Sequence, residues 1–286
     1  KNYNFFKKKK KNLIVAPTIK ANAYGLGVTE IFKILKKIKC KFFFVATLNE
    51  GIEINNKNKN IKIYILNGIQ NYNLNLFKKN NLIPIINSLE EYRKIKKFNM
   101  EYGLHIDTGI NRLGVKHNKI NDSFFKDKNL SLIITHLASA DENRNNYNEV
   151  QRKRFLKSLK DLNNKKIKLS ISNSNGSILK EDFLLDMIRP GIGLYGGNNN
   201  TSLKKYLKPV VTLSGKIIQI KNINKNEFVG YNQTYKTKKN IKIAIIGIGY
   251  ADGIPRILSN KGIVYYKKNK FRIIGRISMD SLTIDI

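Results

Sequence analysis

The sequence predicts an α/β protein: a (β/α)₈ TIM-type barrel over residues 1–203, followed by a mostly β C-terminal domain over 204–286. Two observations predict it. Eight short, apolar, β-rich runs alternate with segments of helical period through roughly the first two-thirds of the chain, the pattern of parallel strands joined by crossover helices. From about Thr201 onward, polar and apolar residues alternate in run after run with no helical stripe between them, the pattern of an antiparallel domain.

The barrel strands are read in order. Leu13–Lys20 is the first, Phe42–Thr47 the second, Ile61–Leu66 the third and Leu82–Ile86 the fourth. Tyr102–Ile106, Leu132–Thr135 and Ile167–Ile171 follow, and Met187–Ile192 is a short eighth. Val28, Ile31, Phe32, Leu35 and Ile38 recur at helical spacing after the first strand. Leu89, Tyr92 and Ile95 form a second stripe, and Phe155, Leu159 and Leu162 a third. In the second domain the expected strands are Val210–Lys221, Ile241–Ile246, Ile263–Tyr266, Phe271–Ile277 and Leu282–Ile286. A sheet whose chain stops inside its last strand leaves an unpaired edge, which proteins avoid, so missing C-terminal sequence is expected.

Composition removes several function classes. The single cysteine, Cys40, excludes a disulfide scaffold and a Cys-based zinc site. No apolar run approaches the ~18 residues of a membrane span. The opening Lys1–Asn12 is too polar for a secretory signal, so the expected location is cytoplasmic, without a membrane partner. The 54 Lys and Arg exceed the 20 Asp and Glu by 34 charges. Such an excess suits a nucleic-acid partner. Yet the lysines are scattered through the chain among many Asn and Ile, all residues with A/T-rich codons. No RNA-binding aromatic signature or helix-turn-helix accompanies them, so coding bias is the reading and no nucleic acid is expected.

Active sites of such barrels lie at the C-terminal ends of the strands. Lys20 ends the first run, Asp107 and Arg112 follow the fifth, and His136 ends the sixth. Asn173 and Ser174 follow the seventh, and Arg189 and Gly191 belong to the eighth. A lysine among apolar residues on a buried strand is desolvated, which lowers its pKa and favours Schiff-base chemistry. The same residue also suits a mouth lysine paired with a carboxylate. Ser172–Ser177 (SNSNGS), before a helix-like Ser177–Lys180, offers hydroxyls and free amides to a phosphate, with Gly191 and Gly193 opposite. It equally suits an N-cap and turn. Lysine and phosphate cup at one mouth point to pyridoxal 5′-phosphate, PLP. Asp107 is read as anchoring its loop. Taken singly, Tyr250 suits a packed turn and His136 a core histidine.

Seven motifs in order resemble those of the alanine racemases, and together they cover nearly the whole chain. They are Ile19–Gly27 (IKANAYGLG), His105–Gly114 (HIDTGINRLG), Thr135–Asp141 (THLASAD), Ser172–Ser174 (SNS) and Ile188–Gly196 (IRPGIGLYG) in the first domain. Gly249–Gly253 (GYADG) with Pro255-Arg256, and Gly275–Asp280 (GRISMD), stand in the second. The resemblance implies interconversion of L- and D-alanine by two bases, Lys20 carrying PLP and Tyr250. It implies that Tyr24, Ser174, Gly191 and Ile192 hold the phosphate, with Asn173 beside them. Arg189 would face the pyridine nitrogen, Arg112 the phenolic oxygen and the substrate, and His136 would stand behind Tyr250. Met279 and Asp280 would lie by the substrate entrance. The family pairs subunits head to tail with shared sites and supplies D-alanine for peptidoglycan, so a homodimer is implied. Many members carry a lysine, sometimes carbamylated, where this chain has His105, and they continue past GRISMD. Rival readings are another PLP barrel enzyme, such as a broad-specificity racemase or a decarboxylase, a non-catalytic PLP-binding protein, and an electrostatic nucleic-acid binder.

Overall fold

Runs such as Leu82–Ile86 and Tyr102–Asp107 are buried at every residue. A strand covered on both faces reads as a continuous apolar run, and a parallel sheet beneath helices provides that cover. The computed structural model describes residues 1–54, 58–163, 166–197 and 201–286. These divide into two compact units, Lys1–Val211 and Thr212–Ile286.

In the first unit the strands are β1 (Ile14–Val15), β2 (Phe42–Val45), β3 (Lys62–Ile65), β4 (Leu82–Ile86) and β5 (Tyr102–Asp107). A short β6 (Val115–Lys116) pairs on the end of β5, and β7 (Leu130–Ile134), β8 (Lys168–Ser170) and β9 (Met187–Ile188) follow. The parallel order is β2-β3-β4-β5-β7-β8, and β1 pairs with β9. Single bonds join these two sheets into a ring. Thr18 bridges Phe44, and the Asp186 and Arg189 amides donate to Leu169 and Ser172 carbonyls of the β8 segment. Alternate strand residues point inward, where Ala16, Phe44, Tyr64, Ile85, Leu132, Ile134 and Met187 form one buried cluster. The intervening Phe43, Ile63 and Ile133 pack outward.

The first two predicted stripes fall on helices Val28–Lys37 and Leu89–Phe98, whereas of the third only Phe155 lies in helix Tyr147–Ser158, with Leu159 just past its end and Leu162 beyond it. Val28, Phe32, Leu35, Tyr92, Ile95 and Phe155 are buried, whereas Leu89 and Ile38 are exposed at helix ends. Two expectations are corrected. The first strand stops just short of Lys20: regular pairing with β9 covers Ile14–Val15, the Ala16, Thr18 and Ile19 amides continue the bonding to the Ile188, Pro190 and Phe44 carbonyls, and Lys20 opens a turn instead. The eighth strand stops at Ile188, and Ile192–Tyr195 form a 3₁₀ turn instead.

The second unit is an antiparallel sheet of β10 (Ile217–Ile223), β13 (Ile241–Ile246), β14 (Ile263–Tyr266), β15 (Asn269–Ile274) and β16 (Leu282–Asp285), with a two-residue-per-strand hairpin of β11 (Phe228–Val229) and β12 (Tyr235–Lys236). Its order is β10-β13-β16-β15-β14. The final strand is therefore paired on both sides, and the unpaired edge expected there does not exist. Residues 210–216 form no strand, since Ile217 opposite Ile246 is where the ladder with β13 begins.

Candidate active site

At the C-terminal end of the barrel strands lies a cavity of about 350 Å³. It is lined by all nine of the first-unit residues expected there: Lys20, Tyr24, Arg112, His136, Asn173, Ser174, Arg189, Gly191 and Ile192. Separate loops supply them, so their meeting is a product of barrel closure.

Lys20 opens an unusual turn. Ala21, Asn22, Ala23 and Tyr24 have φ between 50° and 59° and ψ between 34° and 55°, which is one turn of left-handed helix. For L-residues this costs roughly 1–2 kcal/mol each. Specific bonds hold it. The Ala21 amide donates to Glu50 Oε1 at 2.7 Å, and the Val28 amide to Asn22 Oδ1 at 2.7 Å. Glu50 Oε2 accepts in turn from the Ala46 and Thr47 amides, tying the lysine turn to the loop after β2. Lys20 is half-buried at the mouth rather than sealed within a strand.

The phosphate-type cup consists of neutral donors. Gly191 and Gly193 amides donate to Ser174 Oγ at 3.0 and 3.1 Å. A Cβ on Gly191 would collide with the Tyr24 hydroxyl, so glycine alone leaves room there. Burial raises the Tyr24 pKa, tempered by the Ile192 amide donating to it, so the phenol stays protonated and able to donate. The helix expected over Ser177–Lys180 is instead a 3₁₀ turn, Gly176–Ile178, whose Gly176 amide is capped by Asn173 Oδ1 at 2.9 Å. Any anion there is held by hydroxyls and amides rather than by a helix dipole.

Arg189 is buried and donates to Ser170 Oγ at 2.5 Å and to the Thr135 carbonyl at 2.6 Å. Burial pulls its pKa down to about 9, which leaves it cationic at neutral pH. His136 is driven well below the usual histidine range by burial, then by Arg189, Arg112, His105 and Lys20, and is neutral. Asp107 anchors its loop as expected: its Oδ1 accepts from the Gly109 and Asn111 amides at 2.9 and 3.1 Å.

Tyr250, Met279 and Asp280 belong to the second unit, where the two predicted motifs meet. The Tyr250 amide donates to the Ser278 carbonyl and the Ala251 amide to that of Met279, both at 3.0 Å. Tyr250 opens a 3₁₀ turn fixed by the Gly249 amide on Asp252 Oδ2, and the Arg256 guanidinium lies 5.4 Å from its ring. All three side chains are exposed.

Comparison with known proteins gives the same division. Residues 1–199 match the alanine racemase N-terminal domain model, and residues 210–286 match the alanine racemase C-terminal domain model. The chain belongs to the alanine racemase family. An alanine racemase of Rickettsia bellii is 39% identical over 289 residues, covering 96% of this chain and 70% of the relative. The solved alanine racemase of Bartonella henselae, with covalently bound pyridoxal phosphate, superposes with TM-score 0.88 at 32% identity, covering 99% of this chain and 82% of that one. That of Acinetobacter baumannii gives 0.89 at 28% identity, again covering 99% and 82%.

Within this racemase scaffold, three residues carry no signal in the motifs. Glu50 holds the lysine turn. Gln151, fully buried, donates to Thr108 Oγ1 and the His136 carbonyl and accepts from the Ala138 amide. Asn87 contacts His105. Only a buried-polar argument exposes them: amide and carboxylate side chains at positions facing strand ends must find partners. No described helix is long and apolar enough to cross a membrane.

Proposed function

We propose that the protein is a PLP-dependent alanine racemase, acting by two bases. The observation that carries this reading is the convergence of a lysine, a neutral anion cup and a buried arginine on one cavity. The donor set fits the cofactor. Ser174, Tyr24 and the Gly191 and Ile192 amides suit its phosphate, with Asn173 shaping the cup. The Lys20 amine suits covalent attachment, and about 350 Å³ lies within the range of small-molecule sites. When bound, PLP supplies the electron sink that makes an α-proton removable.

The protein's own groups direct where protons go. Arg189, which does not readily give up its proton, would hold the cofactor's ring nitrogen and leave it unprotonated, a choice that would limit side reactions such as transamination. Arg112 would hold the cofactor's phenolic oxygen and orient the substrate carboxylate, with the Met279 amide also toward that carboxylate and Asp280 at the entrance. Lys20 exchanges the α-proton on one face and Tyr250 on the other. Neutral His136 stands behind Tyr250 as its hydrogen-bond partner, with the Arg189 charge beyond it. Tyr250 reaches the cavity of a partner subunit in a head-to-tail homodimer. The protein acts in the cytoplasm, supplying D-alanine for peptidoglycan.

Incubation with PLP and L-alanine in D₂O tests this: D-alanine carrying α-deuterium is expected. Borohydride reduction and then peptide mass mapping should place the cofactor on Lys20, and Lys20→Ala should retain none covalently. Retention of covalent cofactor by Lys20→Ala, or an L-alanine pool that never exchanges its α-proton, removes the reading.

A further inference from the structure

Among the described residues, two that line the cavity carry a buried polar atom without a partner, Asn175 Oδ1 and His105 Nε2, and only the second lies under the loop that bears Arg112. His105, in β5, is 5% exposed, and its Nδ1 lies 3.0 Å from Asn87 Oδ1. The Asn87 amide nitrogen donates to the Leu66 and Ile85 carbonyls at 2.9 and 3.0 Å. Both amide protons are thereby used, which fixes the amide orientation and turns Oδ1 toward the imidazole. Oδ1 can only accept, so Nδ1 carries the proton. Burial first, then Arg189 and Arg112, against the opposing Asp107, hold the ring neutral, with its pKa pushed down to about 3. Nε2 is then a bare lone pair, buried and without a hydrogen-bond partner.

The loop bearing Arg112 returns over that edge of the ring. A Cβ on Gly114 (φ 111°) would stand 3.2 Å from His105 Cδ2, the atom bonded to Nε2, and 2.8 Å from the Asp107 amide. Arg112 and His105 line the same cavity. No carboxylate among the described residues is in ion-pair range of Arg112. An acceptor without a donor and a guanidinium without an anion thus line one cavity.

We propose that His105 is a positioning residue: when the site is loaded, its neutral Nε2 accepts a hydrogen bond from the Arg112 guanidinium and holds Arg112 over the cavity with an uncharged partner. The consequence for cofactor and substrate contact rests on the proposed racemase function; the tautomer does not.

Nitrogen-15 NMR of histidine-labelled protein tests it, with His105→Phe assigning the signals. At pH 7 His105 should be protonated on Nδ1 and bare on Nε2. With PLP added, Nε2 should move upfield, the mark of an accepted hydrogen bond, and Arg112→Ala should abolish that move. In steady state, His105→Phe should raise the KM for alanine about tenfold, with kcat changed less, the scale of one lost charge-assisted bond. An Nε2–H tautomer, an imidazolium at pH 7, or an Nε2 signal indifferent to Arg112→Ala overturns the proposal. PLP binding is read separately by its absorbance. If the wild type binds none, the function reading falls and the proposal with it, whereas bound PLP with an Nε2 signal that does not move overturns the proposal alone.

Discussion

Lys20 is presented by backbone conformation more than by its own contacts. Four successive residues with positive φ are unfavourable for Ala and Tyr, so the turn persists only where surrounding bonds over-determine it. Glu50 is the main such bond. Glu50→Ala strips the acceptor from the Ala21, Ala46 and Thr47 amides, at about 1–3 kcal/mol for each one left buried and unpaired. A lower thermal midpoint and weaker covalent PLP retention are expected. Unchanged retention would show that the turn holds itself.

His105 and His136 act at the same scale on pH stability. An unfolded histidine titrates near 6.5, whereas His105 takes a proton only near pH 3 and His136 also well below 6.5. Between those values the unfolded chain binds protons that the fold refuses. Unfolding free energy therefore falls as pH drops, by up to about 1.4 kcal/mol per pH unit per histidine. The thermal midpoint should decline below pH 6.5, and less steeply in His105→Phe. Equal slopes in variant and wild type would remove His105 as a source.

Among the elements, helix Tyr147–Ser158 does more than cover the barrel. Gln151 bridges the loops after β5 and β7 through Thr108 and His136. Tyr147 and Arg154 add bonds to the Gly109 and Thr108 carbonyls at 3.0 Å each. The helix thereby clamps the loop carrying Arg112 to the one carrying His136. Gln151→Leu, similar in size but apolar, should lower the thermal midpoint and raise the KM for alanine together. A drop in stability with kinetics intact would assign the helix a purely structural part. The apolar stripe marked this helix, and Gln151 lies on its buried face one turn before Phe155, but as a polar residue it was not part of the apolar pattern, and nothing local marks its partners. Strand positions were legible for a simple reason: a β-rich run buried on both faces has few other ways to fold. The hairpin of β11 and β12, with two residues per strand, is too short to carry a period.

For the whole molecule, the proposal divides the two bases between two chains. Mixing Lys20→Ala with Tyr250→Phe gives a decisive test. A hybrid dimer with shared sites holds one site lacking both bases and one intact. Two inactive variants should then regain about a quarter of wild-type activity on random exchange, as a two-fold head-to-tail arrangement requires. Sites complete within one chain would regain none. Tyr250→Phe alone should keep PLP and lose interconversion in both directions.

The sequence by itself determined the succession of strands and helices and the motif residues, because burial periodicity and short chemical motifs are written in neighbouring positions. It could not determine that Ala21–Tyr24 wind left-handed, that β16 lies mid-sheet, or that Asn87 meets the ring of a histidine 18 residues away. Those are choices among distant partners. Barrel closure and sheet order make them, since a buried polar atom or a strand edge takes whatever group the fold brings within reach.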